Sequence, residues 1–183
     1  MAYIEMNQYT KIIKKRTVLE NINLNIDQGE VLGLLGRNAS GKTMIIRAIS
    51  GLILPEKGTI MVANKQLKPT RRFPDSCGLI IEKMGFWPSL TATATLEVLC
   101  SIKNIATKDD IRSALIRVGL DPDDKRTVRK YSIGMKQKLA IAQAIVEKPD
   151  LILLDEPTNS LDKEARQLFY QIIKEEQASF FIE

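Results

Sequence analysis

Gly36-Arg37-Asn38-Ala39-Ser40-Gly41-Lys42-Thr43 has the form G-x-x-x-x-G-K-[ST], and it stands between the apolar run Val31-Leu32-Gly33-Leu34-Leu35 and a stretch of helical pattern opening Met44-Ile45-Ile46. Strand, glycine-rich turn and helix in that order make a phosphate-binding loop. The spacing has a physical cause: backbone N–H groups wrap a triphosphate only where the loop turns tightly, and glycine reaches positive φ without a Cβ clash. The helix behind the loop, expected over residues 43 to 52, adds the positive end of its dipole. Lys42 brings a point charge to the β and γ oxygens, and the Thr43 hydroxyl is placed to ligate Mg²⁺. The plainer alternative for the segment is an ordinary glycine-rich turn.

A chain of 183 residues with 44% hydrophobic content suits one domain with a proper core. No apolar stretch approaches the roughly 18 uncharged residues of a membrane span. Met1-Ala2-Tyr3-Ile4-Glu5 lacks the basic and apolar regions of a secretory signal, so a cytosolic chain is expected. Cys77 and Cys100 have no metal-ligand spacing and no histidine accompanies them, which argues against a zinc site or a disulfide scaffold. The net charge of +5, concentrated at Lys11, Lys14, Lys15, Arg16 and at Lys125, Arg126, Arg129, Lys130, suits nucleic acid, an anionic membrane surface or simply solvated faces.

Thr17 to Ile26 alternates apolar and polar side chains and stops at Asp27-Gln28-Gly29, the pattern of a half-buried strand ending in a turn. Val31 to Leu35 lacks the alternation and reads as a strand covered on both faces. Gly58 to Ala63 and Gly78 to Ile81 are further short strands, joined by a basic linker with Pro69 and Pro74. From Thr91 to Gly119 the period becomes helical, with Thr107 and Asp110 as a capping-box start. Another helix begins near Ser132 and stops before Pro149, and Leu151-Ile152-Leu153-Leu154 is a buried strand. A last amphipathic helix is expected from about Asp162 to Gln177, with a strand starting at Ser179.

Asp155 and Glu156 follow the apolar strand directly and so stand at its carboxyl end, where open α/β sheets bind ligands. The two acids suit different tasks: Asp155 holds Mg²⁺, and Glu156 polarises the attacking water. A merely polar strand end is the alternative.

Tyr131-Ser132-Ile133-Gly134-Met135-Lys136-Gln137 lies some twenty residues before those acids. Taken together, these segments resemble the nucleotide-binding domain of ATP-binding cassette (ABC) transporters, over essentially the whole chain. The resemblance implies a P-loop NTPase core of α/β class with a mostly parallel sheet. It adds an antiparallel β subdomain at the N-terminus and an inserted helical subdomain, with the core at 1–82 and 132–183 and the insert at 83–131. In that family Ser132 and Gly134 belong to a signature that opens a helix facing the γ-phosphate bound by a second subunit. Asn159-Ser160-Leu161-Asp162 matches the D-loop at the dimer seam. The helical insert, with Met84, Phe86 and Trp87, is the part that meets an integral membrane permease; local core is the other reading of those three residues. ATP and Mg²⁺ are the implied cofactors. The nucleotide would be held by residues 36 to 44, including Arg37, Asn38, Ala39, Ser40 and Met44, with Ser132, Gly134 and Asp162 from the dimer.

Several positions depart from the family pattern. Glu82 stands where a glutamine is usual; it still reaches Mg²⁺ and water, and with the Tyr131 to Gln137 signature it looks most like the subgroup serving bacitracin-type and lantibiotic immunity. A structural carboxylate is the other option. The base-stacking aromatic aligns with Ile13, with Tyr9 as a substitute. The sequence stops at Glu183 and holds no histidine, so the switch histidine expected after the Ser179 strand is missing; a shortened domain is expected, with binding surviving better than turnover.

The leading expectation is therefore a cytoplasmic ATPase subunit at the inner face of the membrane, paired with a second copy and driving a permease that exports a peptide antibiotic. A ribosome- or nucleic-acid-directed cassette ATPase fits the positive charge, although tandem cassettes and long coiled-coil inserts are missing, so no DNA partner is expected. A binding-only nucleotide domain fits the missing histidine.

Overall fold

The computed structural model describes residues 2–37, 40–81 and 85–176, together with the backbone of 179–182. The chain opens with a hairpin of β1 (Ala2–Ile13) and β2 (Arg16–Asp27), closed by Lys14 and Lys15 in the left-handed region (φ 47° and 64°). Next come β3 (Val31–Gly33), α1 (Lys42–Ile49), β4 (Lys57–Val62), β5 (Lys65–Gln66) and β6 (Gly78–Ile80). Helices α2 (Ala92–Cys100) and α3 (Lys108–Arg117) follow, and then a 3-10 turn at Val128–Lys130. The chain then returns through α4 (Ile133–Ile145), β7 (Leu151–Leu154), α5 (Lys163–Glu175) and β8 (Ser179–Ile182).

Two four-stranded sheets result among the described residues. An antiparallel one has the order β2-β1-β4-β5, and the other, with the order β3-β8-β7-β6, is parallel throughout. Strand β7 explains why Leu151 to Leu154 is apolar without a break. Its residues alternate between two cores, Leu151 and Leu153 joining α1 and the antiparallel sheet, Ile152 and Leu154 joining the helical side. A strand buried on both faces has no polar positions.

Apart from α1, the α-helices begin where side chains satisfy their first N–H groups. Thr107 accepts from the Asp110 backbone while the Asp110 carboxylate accepts from the Thr107 backbone, a reciprocal capping box. Ser132 and Asp162 cap α4 and α5 by accepting from Met135 (3.1 Å) and Ala165 (2.8 Å). The helical stretch from Thr91 to Gly119 holds two helices, the second opening at the Thr107 capping box as its residues predict.

Two expectations need correction. The strand read over Val31 to Leu35 covers only three residues and is not enclosed: Val31 is 52% exposed and Leu35 is 99% exposed. Its physical reason is position, since β3 is an edge strand with β8 as its partner among the described residues. The helix expected to reach residue 52 ends at Ile49, and Gly51 follows at φ 79°.

Candidate functional site

The parallel sheet delivers its loops to one end, and the phosphate-type loop and the acidic pair meet there. Gly41 caps α1 from the left-handed region (φ 99°), a conformation that needs no Cβ, and so turns the loop into the helix. The Lys42 ammonium folds back over the loop and donates to the carbonyl oxygens of Gly36 (3.1 Å) and Arg37 (3.3 Å). The Ser40 backbone N–H donates to the Arg37 carbonyl (3.1 Å), which closes the turn.

From the first turn of α1, the Thr43 hydroxyl donates to Asp155 Oδ1 at 3.3 Å, across 112 residues of sequence. Strand β8 lies between β3 and β7, so the two motifs sit on non-neighbouring strands and the helix start spans the gap. Asp155 is 4% exposed, and its backbone N–H donates to Ile80 O (2.9 Å), extending the β6–β7 pairing by one residue. A hydroxyl and a buried carboxylate are hard oxygen donors, the set Mg²⁺ accepts when its remaining positions are filled by water and phosphate.

Glu156 is exposed and held at φ 47°, a costly conformation for a residue with a side chain. Strain of that kind gathers at functional sites. Asn159 reaches back on both levels, its backbone N–H donating to Glu156 O (3.2 Å) and its amide to the Glu156 carboxylate.

A cleft of about 460 Å³ runs from this loop, lined by Ser40, Gly41, Lys42, Thr43 and Met44 on one wall and by Arg16, Thr17 and Val18 on the other. Ile13, expected to contact the base, does not line it. The two-residue turn at Lys14 and Lys15 pairs Ile13 with Arg16 and leaves the start of β2, rather than the end of β1, on the wall. Tyr9 is fully buried with its hydroxyl donating to Ile53 O (3.0 Å), so it belongs to the core. Sequence reasoning missed Arg16 as a lining residue, although it had singled it out as part of a basic cluster.

Ser132 and Gly134 do not line their own chain's cleft. They stand instead against the loop after the acids: a Cβ on Gly134 would lie 3.2 Å from Ser160 O, and the Gln137 amide donates to Pro157 O (2.9 Å). The start of α4 and the segment after the acids thus pack against each other, with Asp162 serving as the cap of α5. Asn38, Ala39, Glu82 and Met84 lie outside the described residues. Trp87 is 46% exposed, whereas Phe86 packs on the helical core.

The cysteines have no part in this chemistry. Cys77 is half-buried as a residue but its sulfur is enclosed, which pushes the thiol up to about 12, and burial raises Cys100 as well. Burial disfavours the thiolate at both, and no metal-holding group of acids and cysteines occurs among the described residues.

Comparison with known proteins agrees with this geometry. A family model described as "ABC transporter" matches residues 19–159. The chain is 48% identical over 173 residues to the uncharacterized ABC transporter ATP-binding protein YybJ of Bacillus subtilis (strain 168), covering 94% of this chain and 79% of that protein. It is 39% identical to the bacitracin transport ATP-binding protein BcrA of Bacillus licheniformis over 98% of its own length, and spans 60% of BcrA. Among solved structures, the dimeric bacterial ABC transporter cassette MJ0796 superposes with a TM-score of 0.84 at 25% identity, covering 98% of this chain and 87% of that one.

Proposed function

The chain belongs to the ABC transporter family as an ATP-binding subunit, and on that premise we propose that it hydrolyses ATP to drive a membrane permease exporting a peptide antibiotic of the bacitracin type. The observation that carries the catalytic part is the bond between Thr43 and Asp155, which joins the phosphate loop to the acidic strand end. BcrA, a bacitracin transport protein by name, supports the cargo.

In this reading the backbone N–H groups of the loop and the amino end of α1 bind the phosphates. Lys42 exchanges its contacts with Gly36 and Arg37 for the β and γ oxygens. Thr43 and Asp155 would hold Mg²⁺, which would supply charge neutralisation on those oxygens. Glu82, by the resemblance, adds a carboxylate to the same group. Glu156 orients the attacking water and takes up its proton. Its exposure suits a partner that completes the site: a second cassette whose Ser132 and Gly134 face the γ-phosphate and whose Asp162 segment lies at the seam. That MJ0796 forms a dimer supports this arrangement.

The permease contact is assigned to the helical insert. A small cavity of about 110 Å³ lined by Gly85, Phe86, Pro88, Val128, Arg129 and Lys136 supports it, together with the nearby exposed Trp87. No helix among the described residues is long and apolar enough to cross a membrane, which agrees with a subunit bound peripherally at the cytoplasmic face.

The test is Glu156→Gln with ATP and Mg²⁺. Loss of the base lowers turnover by about 10²–10⁴-fold while binding persists, and light scattering then detects an ATP-dependent dimer. A variant that hydrolyses at the wild-type rate would refute the role given to Glu156. One that binds ATP yet stays monomeric would refute the sandwich.

A further inference from the structure

We propose that Arg16 is the platform for the nucleobase, its guanidinium plane stacking on the ring in place of an aromatic side chain. The inference rests on the reading of the phosphate loop as a nucleotide site. If the triphosphate lies at Lys42 and Thr43, the remainder of the nucleotide extends along the cleft to the facing wall of Arg16, Thr17 and Val18. None of the described residues lining the cleft is aromatic. Tyr9 is committed to the core through its bond to Ile53, and Ile13 does not reach the lining.

Arg16 has the properties the position needs. It is exposed at the first residue of β2, fixed by pairing with Ile13 across the turn, and makes no side-chain hydrogen bond or ion pair among the described residues. A guanidinium is planar and weakly hydrated, and it lies readily on π faces. Val18, half-buried two residues on, supplies an aliphatic floor beside it. Because every base offers a π face, such a platform discriminates poorly between purines. GTP is accordingly expected to bind within about threefold of ATP, since stacking carries no hydrogen-bond readout.

Calorimetric titration of the full chain with ATP, GTP and inorganic tripolyphosphate, at fixed Mg²⁺, separates a base contact from a phosphate contact. Arg16→Ala is expected to weaken ATP about fivefold, the size of an exposed cation–π contact, and to leave tripolyphosphate unchanged. Arg16→Tyr, which keeps a stacking face without the charge, restores ATP affinity. Equal losses for ATP and tripolyphosphate in Arg16→Ala would overturn the proposal by assigning Arg16 to the phosphates. Unchanged ATP affinity, or an Arg16→Tyr variant as weak as Arg16→Ala, would overturn it as well. Lys42→Ala distinguishes the two levels: if it keeps both ligands the nucleotide site itself is misassigned, whereas if it loses both, only the role of Arg16 is under test.

Discussion

Replacing Lys42 by Ala separates what this side chain does for the fold from what it does for the ligand. Without nucleotide, the ammonium donates to two loop carbonyls at the surface, Gly36 O and Arg37 O. Bonds of this kind compete with water and contribute about 0.5 kcal/mol each. With a chain of this size each kcal/mol moves Tm by about 2–4 °C, so the loss of these two bonds lowers the Tm of the unliganded protein by about 2–4 °C. The liganded comparison is larger. ATP at a hundred times its Kd stabilises the wild type by about 2.7 kcal/mol, equivalent to about 5–11 °C. Loss of the charge-assisted contacts to phosphate removes about 3 kcal/mol of binding, a factor of about 150 in Kd. At the same ATP concentration the variant then gains only about 0.3 kcal/mol, or about 1 °C. Differential scanning fluorimetry with and without Mg-ATP measures both numbers. A Lys42→Ala protein that still gains 5 °C or more from ATP would refute the assignment of the loop.

Gly134→Ala sets helix propensity against a close approach: the gain of about 0.5–1 kcal/mol for removing a helical glycine offsets a methyl 3.2 Å from Ser160 O. The Ser160 loop is exposed and able to yield, so stability in urea melts should change by less than about 0.5 kcal/mol, while ATP turnover falls about tenfold as the start of α4 and the Ser160 segment shift; unchanged turnover would contradict the coupling. At α3, hydrogen bonding from Lys148 first, and then from Thr107, holds the Asp110 carboxyl well below the usual carboxylate range. Its stabilisation is therefore present above the unfolded carboxyl pKa near 4 and is lost as pH falls below it. The Tm difference between wild type and Asp110→Asn should shrink as pH drops from 6 to 3, and a constant difference would contradict the ion pair's role.

The parts of the fold that were legible in the sequence are those whose cause is local. The capping box at Thr107 and Asp110, the Ser132 cap and the unbroken apolar run of β7 all appear where their side chains dictate. Strand β1 was not read from its residues because its alternation breaks: Ile4 and Met6 are buried, then Tyr9 rather than residue 8, with Gln8 at φ 48° absorbing the extra residue. A bulge shifts the phase of a period-two pattern and hides it. The enclosure expected for Val31 to Leu35 failed for a different reason, since an apolar run cannot tell an edge strand from a central one. At the site, the meeting of the loop with Asp155 was legible, the loop from its glycine spacing and Asp155 from its place directly after an unbroken apolar strand. The opposing wall was not, because which of Ile13 and Arg16 faces the cleft depends on where the hairpin turns, and no motif marks that position.

The most direct test of a single metal–triphosphate centre built from both motifs is electron paramagnetic resonance of Mn²⁺ added with ATP to wild type, Thr43→Val and Asp155→Ala. The geometry predicts that the wild type immobilises Mn²⁺ only when ATP is present, and that each substitution weakens this ATP-dependent binding at least about tenfold, the loss of one ligand from a small hard-cation site. If both variants hold Mn²⁺ with ATP as tightly as the wild type, the contact between Thr43 and Asp155 does not mark the centre, and the account fails.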